Sequence, residues 1–343
     1  MPDFYNLTVK NLKKETPDSA VISFDVPQEI LSYFNYKSGQ YLSLKLMINK
    51  KEVVRDYSIC SSSNEVLSIG VKEILNGYAS SFLNNSVSVG DTIMVSSPRG
   101  KFVLDNESGK DLIGIAAGSG ITPIMSMLKT TLFESSSRFH LVYSNKSPEQ
   151  TMFHSKLIEL KKTFPERLFI NLVYTSVEIE NHFFGRINDS NIFRLINVEN
   201  LTDNKIYICG PEEMLLKVKT GLEKKNILEK NIFYELFKSS KVNQLISSEN
   251  GDVEITYILD DFATKIKSRK EKTVLDAALD NDIDAPYSCN GGVCGSCIGK
   301  VTKGSVKMLK NTVLTDSELS EGLILACQAI PISDKVEIDF DDV

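Results

Sequence analysis

PYSCNGGVCGSCIG, residues 286–299, spaces Cys289, Cys294 and Cys297 as C-x4-C-x2-C, and a fourth cysteine, Cys327, follows in LILACQAIP (323–331). Three thiolates on one short loop with a distant fourth match the ligand pattern of a plant-type [2Fe–2S] cluster. Asn290, Gly291, Gly292 and Gly295 tolerate unusual backbone angles and let amide N–H groups come close to the sulfurs. Four thiolates also suit structural zinc, but zinc ribbons pair two short C-x2-C knuckles and this stretch has one. Cys60 and Cys209 stand apart and read first as small buried hydrophobes. The chemistry expected of the loop is transfer of single electrons.

Upstream of the loop, VEITYIL (253–259) and FATKIKS (262–268) read as a hairpin, and TVLDAALDNDI (273–283) as a helix capped by Thr273. Strand, strand, helix, cluster loop is the order of a β-grasp domain, expected over 252–343. Ahead of it KSSKVNQLISSENG (238–251) is rich in Ser, Lys and Asn with little apolar periodicity, which makes 239–251 the best linker in the chain and a candidate hinge, with an ordered loop as the open alternative.

At 343 residues the chain has room for two or three domains. The apolar runs 20–26, 40–48, 53–60, 67–72 and 91–96, punctuated by Gly39, Gly77, Gly90 and Gly100, predict a small antiparallel β-barrel over 1–105. From Asp111 strands and helices alternate: strands at 111–117, 139–144, 168–174 and 205–210, helices at 123–134, near 150–162 and near 211–224. That alternation predicts an α/β parallel-sheet domain over 106–238. The N-terminus lacks a secretory signal, and no run approaches the 18 apolar residues of a membrane helix. With no disulfide framework evident, the cytoplasm is the expected compartment, without membrane insertion. Residues 252–343 carry 17 acidic and 10 basic side chains, a net of −7 in a chain whose total is −6. Nucleic acid is therefore not an expected partner, and the acidic tail domain reads either as a docking face for a basic partner or as a solvated surface.

Gly118-Ser119-Gly120-Ile121-Thr122-Pro123 lies between a predicted strand and the next helix, where a dinucleotide pyrophosphate sits. Glycines admit close backbone approach, Thr122 is expected to cap the helix, and Pro123 to take its first position. An ordinary strand-to-helix turn would look similar. Downstream, FHLVYSNKS offers Ser144, Lys146 and Ser147 with no carboxylate between Glu134 and Glu149. An acidic residue there would hold a free ribose; hydroxyl and basic groups suit a ribose phosphate, so NADPH is favoured over NADH, with contact to water alone as the open alternative for these three side chains. A carrier able to hold one or two electrons must link a hydride donor to a cluster, and a flavin is such a carrier. Arg55-Asp56-Tyr57-Ser58 supplies a guanidinium for phosphate, an aromatic plane and a hydroxyl.

RDYS (55–58), GYAS (77–80), GSGITP (118–123), CGP (209–211) and YELF (234–237), followed by the cysteine module, together resemble the ferredoxin–NADP reductase superfamily with a C-terminal ferredoxin domain. The arrangement is similar to reductase components of the phenylacetyl-CoA epoxidase kind, which feed diiron oxygenases and belong to phenylacetate catabolism. The resemblance spans essentially the whole chain. It implies that Arg55 meets flavin phosphate, Tyr57 stacks on the isoalloxazine, Ser58 lies at its reactive edge, and Gly77 and Ser80 adjoin the FAD pyrophosphate. It implies further that Gly118, Gly120, Thr122 and Pro123 approach NADPH, with Thr122 near both rings. Cys209, Gly210 and Pro211 would line the nicotinamide pocket, and Glu235 and Phe237 would close the flavin site. Electrons would pass as a hydride from NADPH to FAD and then singly to the [2Fe–2S] cluster and a protein acceptor. Tyr57 as a strand tyrosine and Cys209 as a core residue remain open alternatives. So does another acceptor, whether a fatty-acyl desaturase, a ring hydroxylase or a hybrid-cluster protein, and so does a redox carrier or sensor that turns over little. His140, His154 and His182 have no metal-ligand spacing and read as structural or surface residues.

Overall fold

The computed structural model describes residues 4–74, 77–105, 111–196, 198, 203–237, 251–259, 261–281, 283, 285–287, 291–292, 295–311 and 313–343. Two compact units emerge, Met1–Phe237 and Lys238–Val343. All but the last residue of the expected linker, 239–251, lies outside the described residues.

The first unit begins with strands β1 (Phe4–Thr16), β2 (Ser19–Asp25), β3 (Tyr41–Ile48), β4 (Lys51–Ser58), β5 (Ser68–Lys72) and β6 (Thr92–Ser96), with helix α1 (Tyr78–Asn85) between the last two. They pair antiparallel in the order β4-β3-β6-β1-β2-β5. An Ile59–Ile69 bridge joins the two ends, so the sheet closes on itself as the barrel expectation requires. Inward alternation fills it with Leu7, Val9, Ile22, Phe24, Leu42, Leu44, Ile69 and Val95. β1 has no counterpart among the apolar runs of the sequence. Register shifts between Val9 and Asn11 and between Lys14 and Thr16 break its alternation, as bulges do.

The second part of this unit runs β7 (Leu112–Ala117), α2 (Ile121–Glu134), β8 (Phe139–Asn145), α3 (His154–Thr163), β9 (Leu168–Tyr174), β10 (Phe183–Phe184), α4 (Ile192–Ile196), β11 (Lys205–Cys209), α5 (Glu212–Lys224) and β12 (Ile232–Glu235). The sheet is parallel, in the order β10-β9-β8-β7-β11-β12. Every residue of β8 and β11 is buried, as expected of strands covered on both faces. The chain steps outward from β7 to β8 and β9, then returns to β7's other side at β11. The crevice at such a reversal, beyond the strands' carboxyl ends, is where this architecture binds ligands. Helix α2 starts two residues earlier than expected. Gly120, not Thr122, is its N-cap, and Pro123 is its third residue rather than its first. The reason is local: Gly118–Gly120 already coil as a 3-10 turn that runs into the helix.

The closed sheet and the parallel sheet pack together through α2. Lys129 pairs with Glu65 at 2.8 Å, the Ser126 hydroxyl donates to the Ser61 carbonyl at 2.6 Å, and the Ser38 and Thr130 hydroxyls bond at 2.7 Å. Cys60 and Phe102 join the apolar core formed by α2, β7, β8 and α3.

The second unit comprises β13 (Asp252–Leu259), β14 (Phe262–Arg269), α6 (Val274–Leu279), β15 (Ile298–Lys303), β16 (Val306–Met308), α7 (Asp316–Ser320), β17 (Leu323–Leu325), β18 (Ala329–Pro331) and β19 (Lys335–Asp339). The main sheet has the order β14-β13-β19-β15-β17, with β16 and β18 as a separate pair. Thr273 caps α6 by accepting from the Asp276 amide at 3.0 Å, but the helix stops at Leu279 rather than 283. Val274, Leu275, Ala277 and Ala278 bury against Val253, Ile255 and Tyr257 of β13, the helix-on-sheet core of a β-grasp. β14 lies at one rim, with Phe262, Lys265, Lys267 and Arg269 exposed.

Candidate functional site

The carboxyl ends of β7, β8, β11 and β12 bring together most of the residues singled out in the nucleotide half. Gly118 has φ +55°, a left-handed backbone that favours glycine, and a Cβ built there would meet nothing within 4 Å. The turn is thus open on that side. Its carbonyl is held by the Tyr143 hydroxyl at 3.1 Å. Gly120 serves the opposite purpose: a Cβ would stand 2.1 Å from the Cys209 carbonyl oxygen, so the two loops touch only because the side chain is absent. Gly210 closes the same seam, since its Cβ would lie 3.1 Å from Ala117 Cβ. Ser144 is buried and pairs with Ala117 across the strands, beside the turn; Lys146 is exposed two residues beyond. Pro211 is the N-cap of α5.

Cys209 is fully buried, and Glu235 is its partner on β12. Burial, reinforced by the Glu235 carboxylate, pushes the Cys209 thiol well above its ordinary value, so it stays protonated and is no nucleophile at neutral pH. Phe237 packs against the core of the nucleotide half.

Thr122 donates to the Ser119 carbonyl at 3.0 Å, which leaves its methyl to face the closed sheet. There it meets Gly70 of β5: a Cβ on Gly70 would stand 2.4 Å from Thr122 Cγ2. Gly70 carries no sequence signal of its own. Only the contact between two distant segments reveals it.

On β4, Arg55 donates to the Val54 carbonyl at 2.6 Å and is half-buried. Tyr57 packs against the barrel core, and burial drives its hydroxyl far above the usual tyrosine range. Ser58 is buried opposite Tyr41. Between them, Asp56 accepts from the Ser43 hydroxyl, which in turn accepts from Arg99, both at 2.5 Å. Gly77 precedes α1 as its N-cap, and the Ser80 hydroxyl accepts from the Ile74 amide at 3.1 Å and donates to the Gly77 carbonyl at 3.3 Å.

In the second unit Cys297 and Cys327 are both buried, and the segments that carry them are joined by the Ala326 amide bonding to the Cys297 carbonyl at 2.9 Å. Gly292 and Gly295 adopt φ of +72° and +74°. A Cβ at Gly292 would fall 2.8 Å from the Gln328 side chain and 3.1 Å from the Lys310 carbonyl. The loop therefore needs glycine for both conformation and room, which fits a tight thiolate cradle. Cys289, Asn290 and Cys294 lie outside the described residues.

Three domain families match along the chain: an oxidoreductase FAD-binding domain over residues 6–104, an oxidoreductase NAD-binding domain over 115–220, and a 2Fe-2S iron–sulfur cluster binding domain over 258–331. One component of the 1,2-phenylacetyl-CoA epoxidase of Escherichia coli K12 is 34% identical over 99% of both chains. The ferredoxin reductase component of 3-ketosteroid-9-alpha-monooxygenase from Mycolicibacterium smegmatis is 32% identical over 98% of this chain and 97% of its own. The solved structure of phthalate dioxygenase reductase superposes with a TM-score of 0.67 at 24% identity, covering 98% of each chain, and shares the fold. The chain thus belongs to the ferredoxin–NADP reductase superfamily with a C-terminal [2Fe–2S] domain, as an oxidoreductase with FAD, nicotinamide-nucleotide and cluster-binding domains of the kind that serve oxygenases as reductase components.

Proposed function

We propose that this reductase oxidises NADPH and supplies single electrons to a diiron oxygenase of the phenylacetyl-CoA epoxidase type, in the cytoplasm. The observation that carries the reading is the contact of Thr122 with Gly70, which sets the end of the nucleotide turn against the flavin-binding sheet. A flavin bound there supplies the exchange between paired and single electrons. The protein's own task is alignment, since hydride transfer requires reacting atoms within about 3–3.5 Å.

In this reading the domains run 1–105, 106–238 and 252–343, with 239–251 as linker. Arg55, Tyr57, Ser58, Gly77 and Ser80 hold FAD. Gly118, Gly120 and Pro123 admit the nucleotide pyrophosphate, and Ser144 and Lys146 receive the ribose phosphate. Cys209, Gly210 and Pro211 bound the nicotinamide, where a protonated Cys209 adds no charge beside the ring. Glu235 and Phe237 close the flavin side. Cys289, Cys294, Cys297 and Cys327 hold the cluster.

The choice of oxygenase rests on the whole-length relative at 34% identity. A relative at 32% that serves a ketosteroid monooxygenase keeps another acceptor in view. Anaerobic stopped-flow reduction with NADPH and with NADH, followed in the visible, tests the donor: the rate of flavin and cluster bleaching should reach half its maximum at a lower concentration of NADPH than of NADH. A preference for NADH would remove the ribose-phosphate role from Ser144 and Lys146. Coupled turnover with purified epoxidase and monooxygenase components decides the acceptor.

A further inference from the structure

Six non-glycine residues among those described have left-handed backbone angles, and five of them, Asn49, Lys50, Asn181, Asn226 and Asp261, are exposed. The sixth is Phe153, buried, with φ 60° and ψ 16°. A bulky residue persists in that conformation only where its surroundings over-determine it. Phe153 stands at the N-cap of α3, which receives no side-chain cap from its own segment. The cap comes from the other sheet: the Phe153 amide donates to the carboxylate of Glu15 on β1 at 3.1 Å. That carboxylate is only 8% exposed and pairs with Lys13 at 2.8 Å. A negative charge at a helix N-terminus is favourable, and it satisfies an otherwise orphaned amide. Lys72 of β5 adds a second tie by donating to the Gln150 carbonyl at 3.2 Å.

The far side of Phe153 reaches the candidate site. A Cβ on Gly70 would lie 3.5 Å from the Phe153 ring and 2.4 Å from the Thr122 methyl, so both residues flank one glycine. We propose that Glu15 is a positioning residue for nucleotide oxidation: by capping α3 from the flavin-binding sheet it fixes Phe153, which keeps Thr122 seated at Gly70. This rests on the reading of Thr122 as the contact between nucleotide and flavin.

The test uses the full-length holoprotein with E15A and E15Q, read by amide hydrogen exchange over 150–160 and by stopped-flow flavin reduction with NADPH. E15A is expected to lose protection at 153–157 and to reduce flavin about tenfold more slowly at saturating nucleotide, with nucleotide affinity unchanged. E15Q retains an acceptor oxygen, so it should recover the protection and most of the rate. Unchanged exchange or an unchanged rate in E15A overturns the assignment, as does an E15Q no better than E15A. Should E15A fail to accumulate in folded form, E15M, which keeps most of the side-chain volume but has no acceptor oxygen, against E15Q gives the same decision: E15M should lose the protection and the rate that E15Q keeps. If the unsubstituted protein is reduced by neither nucleotide, the functional reading fails instead, and the exchange data still decide the cap.

Discussion

The nucleotide turn and the cluster loop are both built on glycine, but for different physical reasons. In the turn the roles are divided: Gly118 supplies a left-handed angle facing open space, whereas Gly120 has ordinary helical angles and is needed because the Cys209 carbonyl lies where its side chain would be. In the loop, Gly292 carries both demands at once. A turn that divides its demands can lose one and keep the other. A loop that concentrates them fails as a whole.

The strongest way to separate the two regions is C327S. Loss of a thiolate should remove the cluster, seen as lost iron and acid-labile sulfide, and abolish cytochrome c reduction, while NADPH-dependent ferricyanide reduction continues in the first unit. If ferricyanide reduction disappears too, the units are not independent in function. Next, G120A should push the turn off Cys209, and a displacement of about 1 Å at a transfer site can cost on the order of 100-fold in rate. Stopped-flow flavin reduction measures it. G118A should be milder in stability, about 1 kcal/mol for the left-handed angle, yet raise the KM for nucleotide because its methyl would project into the open side of the turn.

The smallest expected effect concerns the seam that aligns the two sheets. Burial raises the Glu65 pKa, but the Lys129 ammonium and the Ser62 amide outweigh it and hold the carboxyl below its ordinary value. A lowered value means the pair stabilises the fold above the usual carboxylate range and is lost as pH falls through the folded-state value. Glu65 is 38% exposed, so screening limits the contribution to about 1 kcal/mol. Denaturant melts from pH 7 to 3 should show a shallower acid-side loss in E65Q than in the unsubstituted protein.

Legibility in the sequence follows the range of the interactions. The longer strands and helices of the parallel sheet are readable because their apolar runs are local, and the 2Fe-2S domain because the cysteine spacing that marks it is local too. β1 is hidden by its two register shifts, and α1 by an eight-residue, Ser- and Asn-rich composition. The start of α2 is displaced from its expected place because Pro123 and Thr122 are good starting residues, yet the preceding glycines already coil. Gly70, Glu15 and Phe153 are invisible for another reason: their roles arise from contacts across 50 to 140 positions, which no local pattern records.

The bridge at Ile59–Ile69 ties the two end strands of the flavin-binding sheet together, whereas β14 is an unbridged end strand of the cluster-bearing unit's main sheet among the described residues. Lys265, Lys267 and Arg269 along that border repel a second copy of the same border, so at high concentration charge takes over the protection against chain-to-chain accretion that geometry provides in the other sheet.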